Sequence, residues 1–491
     1  MSGHSATPRR LVVGPFNRVE GDLEVELGVA DGRVTEARVN ASLYRGFEQM
    51  LMGRDPLDAL VYVPRICGIC SVSQSVAAAF ALADAAGIAP PPNGRHAFNL
   101  IHGCENLADH LTHFYLFFMP DFARDAYAGR PWHATVAGRF KAVTGQAAGQ
   151  VLPARARFLE IMGLMAGHWP HSLALQPGGT TRGLLPAEPL RLGFMISEFR
   201  AFLERTTFGD RLEAFSSLAS LEQLAAWRRR PAAGASDLGI FLDIADDLDL
   251  IRLGRATDRF LSYGAYPGQA GDHLFARGVT DCERVEAVDP GAIKEDATHA
   301  WLVEGEGPLP PFSGVTAPMP DKEGAYTWCK APRYAGRVVE TGALARQMVA
   351  GHPLVRELVA RHGGSVLARV LARLLEIALV LPAMEDWARA LRPGEAWCEP
   401  VRLPDQADGI GLTEAARGSL GHWLRIHQGR LQNYQIVAPT TWNFSPRDRN
   451  GQPGALEQAL VGAPVGEHEK TPLAVQHVVR SFDPCMVCTV H

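Results

Sequence analysis

Arg65-Ile66-Cys67-Gly68-Ile69-Cys70 and Asp483-Pro484-Cys485-Met486-Val487-Cys488 are two short cysteine pairs at opposite ends of a 491-residue chain. A C-x-x-C places two sulfurs on one side of a tight turn, close enough to hold one metal ion together. Two such pairs offer four thiolates, a soft set that suits zinc, nickel or an iron–sulfur cluster over magnesium or calcium. A small zinc ribbon has its second pair about 15–20 residues after the first. Here about 415 residues intervene, so the whole fold must close to unite the pairs. That predicts one central, buried site.

The rest of the composition is that of a soluble globular protein, 47% hydrophobic and 21% charged. A net charge of −5 excludes the strongly basic surface that nucleic acid or anionic lipid selects. Cys104, Cys282, Cys329 and Cys398 stand alone and widely spaced, which predicts plain buried thiols in a reducing compartment. Met1 to Arg10 lacks the apolar stretch of a signal peptide. The longest apolar run, Val366 to Met384, is broken by Arg369, Arg373 and Glu376, too charged to span a membrane. A cytoplasmic location is expected.

Leu23 to Leu27 alternates apolar and polar residues, Arg33 to Val39 does so more loosely, and Ala30-Asp31-Gly32 between them is a hairpin turn signal. Helical periodicity marks Glu48–Leu60, Ser71–Ala86, His96–Phe118, Pro153–Met165, Leu190–Thr206 and Ala343–Ala390, the last broken near Gly363-Gly364 and kinked near Pro382. Between about 231 and 335 the chain is Gly/Pro-rich and reads as an irregular peripheral excursion. The expected fold is an α-rich α+β unit over residues 1–491. It has a large helical core of long helices, an N-terminal β element at about 10–40 and a C-terminal metal-binding segment at about 410–491.

Arg18-Val19-Glu20-Gly21, Arg45-Gly46-Phe47-Glu48 and Arg65-x-Cys67-Gly68-x-Cys70 resemble motifs of the large subunit of [NiFe] hydrogenases. So do Ala416-Arg417-Gly418-Ser419-Leu420-Gly421-His422-Trp423, Asn433-Tyr434-Gln435, Pro439-Thr440-Thr441-Trp442-Asn443 and Asp483-Pro484-Cys485-x-x-Cys488-x-x-His491. They span nearly the whole chain in the family's order. The resemblance implies a nickel–iron centre, with Cys67 and Cys485 as terminal nickel ligands. Cys70 and Cys488 would bridge to an iron that also carries carbon monoxide and cyanide. Cys485 would accept a proton from H2 and Glu20 would pass it on. Arg417 would overlie the open metal position, oriented by Asp109 and Asp483, and Thr440 would donate to a cyanide. Glu48, the carbonyl of Ile436 and His491 would hold magnesium, and the chain stops at His491 where the mature family member ends. The resemblance also implies a small subunit carrying Fe–S clusters, since the four single cysteines have no cluster-binding spacing.

Ile69 stands where the commonest uptake enzymes have valine, Phe117 where leucine is common, and Ala416 where they have proline. These residues, with Gly14-Pro15-Phe16-Asn17-Arg18 and Phe482 to His491, look like the regulatory, H2-sensing branch. That implies a dimer of heterodimers signalling to a histidine kinase, with slow turnover and tolerance of O2. An energy-conserving uptake enzyme is the alternative.

Overall fold

The structure, a computed structural model, describes residues 9–269 and 271–491, so most of the Met1–Arg10 stretch lies outside the described residues. Strands β1 (Arg9–Val13), β2 (Leu23–Ala30) and β3 (Arg33–Ala41) form an antiparallel sheet in that order. Along β2 every second residue from Leu23 to Val29 is buried, the one-sided pattern of a sheet with a single core face. Helix α1 (Ser71–Ala86) begins directly after the first cysteine pair. Helices α2 (Pro92–Thr112), α3 (Gln146–Ala166) and α4 (Glu188–Phe202) follow, and the ends of α2 and α4 widen into π-turns at His113–Phe118 and Leu203–Phe208.

The stretch expected to be irregular is substantially ordered. It holds a helix at Asp237–Asp247, capped by Ser236 Oγ, and the antiparallel strands β4 (Phe260–Pro267) and β5 (His273–Thr280). Strand β4 is buried at every position but the last, so it has no period-two alternation to read. The expected helix Glu48–Leu60 is also corrected. It is a single turn at Phe47–Leu51, broken at Gly53 (φ 76°) and resumed as a 3-10 turn at Pro56–Asp58.

Helix α5 (Ala343–Ala350) is followed by a second short helix (Pro353–His362) and then by α6 (Val366–Ala390), which runs through Pro382. The charges that interrupt its apolar run face inward. Arg369, Arg373 and Glu376 are all buried, and Arg369 pairs with both carboxylate oxygens of Glu340 at 2.7 and 2.8 Å. A second three-stranded meander, β6 (Gln406–Ala415), β7 (Gly418–His427) and β8 (Arg430–Val437), lies against α1. Gly411 allows this approach, because a Cβ there would sit 1.9 Å from the Ala77 carbonyl oxygen. The architecture is therefore a mixed α/β one rather than α-rich. Helix α7 (Leu473–Ser481) leads into the terminal segment. Among the described residues no helix is long and apolar enough to cross a membrane.

Candidate metal centre

The two cysteine pairs meet. Cys67 Sγ lies 3.4 Å from Cys485 Sγ, and Cys488 Sγ lies 3.1 Å from both Cys70 Sγ and Cys485 Sγ. All four sulfurs fall within 4.8 Å of one another and all four residues are buried. Hydrogen bonds from the other three thiols push the Cys67 thiol well down. Burial, with neighbouring sulfurs adding to it, pushes Cys485 and Cys488 up. Four sulfurs this close in a dry pocket fit a soft metal centre, which relieves the crowding by taking their negative charge. Of the four single cysteines, Cys104 and Cys329 are buried as expected, whereas Cys282 and Cys398 are exposed.

Local structure explains how the ends are held. The Glu20 carbonyl accepts from the Met486 amide at 2.7 Å, so the β1–β2 loop runs alongside the second cysteine pair. Gly21 (φ 78°) lies against that segment, and a Cβ there would be 3.1 Å from the Val487 amide nitrogen. Arg45 donates to the Ile66 carbonyl at 2.6 Å and to the Val487 carbonyl, so one guanidinium ties both cysteine segments. Its place in the Arg-Gly-Phe-Glu motif was legible, but the carbonyls it would meet were not. Glu20 is half-buried, and burial followed by the Cys67 sulfur lifts its carboxyl above the usual range against the pull of Arg417 and Arg45.

Arg417 is buried on the turn between β6 and β7. It donates to both Asp109 oxygens at 2.5 and 3.2 Å, to Asp483 Oδ1 at 3.2 Å and to the Asp483 carbonyl at 3.0 Å. Burial pushes Asp109 upward and the nearby Asp483 adds to it, while Arg417, His113 and Arg373 outweigh burial at Asp483 and hold it ionised. The arrangement fixes one cation at the edge of the sulfur pocket. Thr440 Oγ1 accepts from the Cys485 amide at 3.1 Å, which leaves its own hydrogen free to donate elsewhere. Behind the first pair, buried Glu105 accepts from the Val72 and Ser73 amides at 2.8 and 2.9 Å and caps the start of α1.

A second cluster lies at the last residue. His491 Nε2 is 3.1 Å from Glu48 Oε1, and His491 Nδ1 donates to the Cys488 carbonyl at 2.9 Å. A carbonyl only accepts, so the Nδ1 hydrogen is committed there and Nε2 faces a carboxylate. Either an imidazolium or a cation shared with Glu48 resolves that contact. Glu48 Oε2 is buried without a partner, and the Ile436 amide donates to Oε1 at 2.8 Å. Burial disfavours the Glu48 charge, but Lys330 and His491 outweigh it and bring its pKa down to about 2. Lys330 Nζ donates to Glu295 at 2.9 Å, to Gln435 Oε1 at 2.9 Å and to Thr316 Oγ1 at 3.1 Å. A solitary lysine in a Gly/Pro-rich stretch has no pattern that marks it in the sequence.

Fold and site together define a protein with a buried four-cysteine pocket fit for a soft metal and closed by the C-terminal segment. The sequence matches the family described as nickel-dependent hydrogenase over residues 45–128 and 236–491. It is 32% identical to the periplasmic [NiFeSe] hydrogenase large subunit of Desulfomicrobium baculatum, over 98% of this chain and 95% of that one. It is 27% identical to the Hydrogenase-2 large chain of Escherichia coli, over 98% and 97%. With the quinone-reactive Ni/Fe-hydrogenase large chain of Wolinella succinogenes the identity is 28%, over 98% and 96%. The fold superposes on the H2-activated [NiFeSe] hydrogenase of Dm. baculatum with a TM-score of 0.86 at 30% identity, covering 98% of this chain and 100% of that one. The chain belongs to the nickel-dependent hydrogenase family. It is a hydrogenase with the large-subunit fold, and its four paired cysteines are the cluster for the metal site. These relatives carry the names of periplasmic [NiFeSe], Hydrogenase-2 and quinone-reactive enzymes, so they support the family and not its sensing branch.

Proposed function

We propose that this chain is the catalytic large subunit of a heterodimeric [NiFe] hydrogenase that splits H2 reversibly into two protons and two electrons. The observation that carries this is the closure of Cys67, Cys70, Cys485 and Cys488 into one pocket beside the Arg417–Asp109–Asp483 group. The proposed cofactor is nickel with an iron bearing carbon monoxide and cyanide; Cys67 and Cys485 would hold the nickel, and Cys70 and Cys488 would be shared by both metals. When bound, the pair supplies the electron-accepting position at which H2 divides heterolytically.

The chain's own groups then handle charge. Cys485 Sγ takes the proton, and burial raises the pKa of its thiol above the ordinary value. Glu20, whose backbone runs beside Cys485, relays that proton outward, and its raised pKa brings it nearer to the range where a carboxyl gives and takes protons. Arg417 supplies fixed positive charge, and the free Thr440 hydroxyl hydrogen a second donor. The electrons pass to Fe–S clusters in a small subunit. Glu48, Ile436 and His491 hold a magnesium-like ion, whose support is the orphaned Glu48 Oε2 and an Nε2 facing a carboxylate.

In its finer role the chain is read as a cytoplasmic, low-turnover, O2-tolerant H2 sensor, paired again as a dimer of heterodimers and signalling to a histidine kinase. The support is side-chain bulk at Ile69 and Phe117. Ile69 lies between the first two cysteines and Phe117 on the π-turn after α2, each half-buried. If both narrow the gas path, H2 passes where larger O2 is held back. The quinone-reactive name of one relative favours a second reading, an uptake enzyme feeding electrons to a respiratory or soluble acceptor.

Infrared spectra of the purified complex under air and then under H2 test the main reading. Sharp metal carbonyl and cyanide bands are expected, and zinc without such bands would refute it. An absence of any air-inactivated state supports the sensor. Ile69→Val with Phe117→Leu is expected to make activity O2-sensitive, and unchanged tolerance sinks the gating idea. Deleting the gene and scoring H2-dependent transcription separately from H2-dependent growth separates the two roles.

A further inference from the structure

Arg346, on α5, is fully buried and outside every motif that points to the metal centre. Its guanidinium has five N–H donors, and five hydrogen bonds use them. Nε and Nη2 donate to the two Glu376 oxygens, both at 2.8 Å. Nη1 donates to Glu414 Oε2 at 2.7 Å and to the Ala415 carbonyl at 2.9 Å, and Nη2 also donates to the Ala416 carbonyl at 3.0 Å. Three consecutive residues, 414 to 416, are therefore pinned immediately before Arg417.

The other arm reaches Arg417's partner. Glu376 Oε1 is also 3.1 Å from His110 Nε2, and His110 follows Asp109 on α2. Burial keeps His110 on the neutral side, so Nε2 carries its one hydrogen into Glu376. One guanidinium thus fixes the backbone that presents the Arg417 donor, and through Glu376 and His110 the helix turn that presents the Asp109 acceptor. From this geometry we infer that Arg346 is the positioning residue of the Arg417–Asp109 pair, acting on the chemistry only through the place it gives Arg417. The inference rests on the hydrogenase reading. A buried Arg–carboxylate hub is costly to desolvate and contributes little net stability, whereas a fivefold fork sets geometry on both sides of the pair.

Lysine keeps the charge and loses the fork. In the purified heterodimer, Arg346→Lys is expected to retain wild-type nickel and iron contents while H2 oxidation falls about 100-fold, the scale of an ångström of misplacement. Two further readouts separate positioning from general support. The cyanide stretching bands should shift in the same direction as in Arg417→Lys. Adding Arg346→Lys to Arg417→Lys should cost no further activity, because the pair being positioned is already broken. Multiplicative losses, or bands left at their wild-type positions, overturn the inference. If Arg346→Lys does not accumulate as a metal-loaded complex, Glu376→Gln, which at constant size removes the charge and one of the two oxygens that accept from Arg346, is judged by the same two readouts. A wild-type complex without carbonyl and cyanide bands would instead remove the hydrogenase reading itself.

Discussion

The terminal segment builds two pockets of opposite chemistry within a few residues. Cys485 and Cys488 enter a pocket of four sulfurs, while His491, three residues beyond Cys488, turns its ring to a carboxylate. Soft, polarizable donors gather in the first, and hard oxygen and imidazole donors in the second. Their surroundings differ as much. Helix α2, which brings Asp109 to Arg417 beside the sulfurs, also carries His102, which burial keeps neutral. The hard pocket is walled by full charges, Glu48 and the Lys330–Glu295 pair. The difference teaches that the tail is shared structure while each pocket's selectivity comes from the elements it meets: α1 and α2 for the sulfurs, β8 and the stretch around Lys330 for the hard site.

The comparison breaks most visibly at the sulfurs. Cys485→Ser substitutes a hard hydroxyl in the soft pocket, so nickel content by metal analysis is expected to fall to background with all H2 oxidation. The hard cation should stay, because Glu48 and His491 are untouched. Joint loss of both metals would show that the pockets are one cooperative unit. Glu20→Gln comes next in size. It keeps the backbone pairing with Cys485 and removes the proton acceptor, so activity should drop about 10²- to 10⁴-fold. Nickel content should not move, and activity near wild type would place the proton exit elsewhere.

Lys330→Met sharpens the other side. It leaves Glu295 as a buried, unpaired carboxylate, and breaking such a pair by removing one partner costs about 3–5 kcal/mol. The loss is expected in the thermal unfolding of the complex, and Glu295→Gln added to it should restore part. Equal melting of both variants and wild type would mean that the pair contributes nothing to holding the hard pocket.

Much of the sulfur pocket was legible because its parts are rare and ordered: two cysteine pairs, an arginine before a glycine turn, and a carboxylate before Pro484. The structure places Asp109 on Arg417, Thr440 on the Cys485 amide, and Glu48 on both His491 and the Ile436 amide, whereas the Ile436 carbonyl was the group sought. What escaped has a common physical cause. Arg45, Lys330, Arg346 and Glu105 are single charged residues whose partners are backbone groups or distant side chains, and in sequence such residues read as solvated surface. Arg369, Arg373 and Glu376 misled in the same way, marking an interior stripe while seeming only to interrupt an apolar run. Strands β4 and β7 were missed for the complementary reason, because burial on both faces erases alternation.

The smallest effect concerns a neutral histidine on α2, the helix that also carries Asp109. His102, 3.2 Å from Ser73 Oγ, has its pKa brought from 6.5 down to about 3, first by burial and then by Arg346. The folded pKa lies below the unfolded one, so between them the unfolded chain takes a proton that the folded chain refuses. The stability at stake is fully present above pH 6.5 and is lost as pH falls toward 3. At pH 5 the loss is about 2 kcal/mol, from 1.36 kcal/mol per pH unit. His102→Gln retains a hydrogen-bonding group toward Ser73 and cannot titrate. Its melting temperature relative to wild type should therefore rise on moving from pH 7.5 to pH 5, since the pH dependence of metal binding is common to both proteins and cancels. A constant difference across that range would mean that His102 accepts a proton as readily in the folded chain as in the unfolded one.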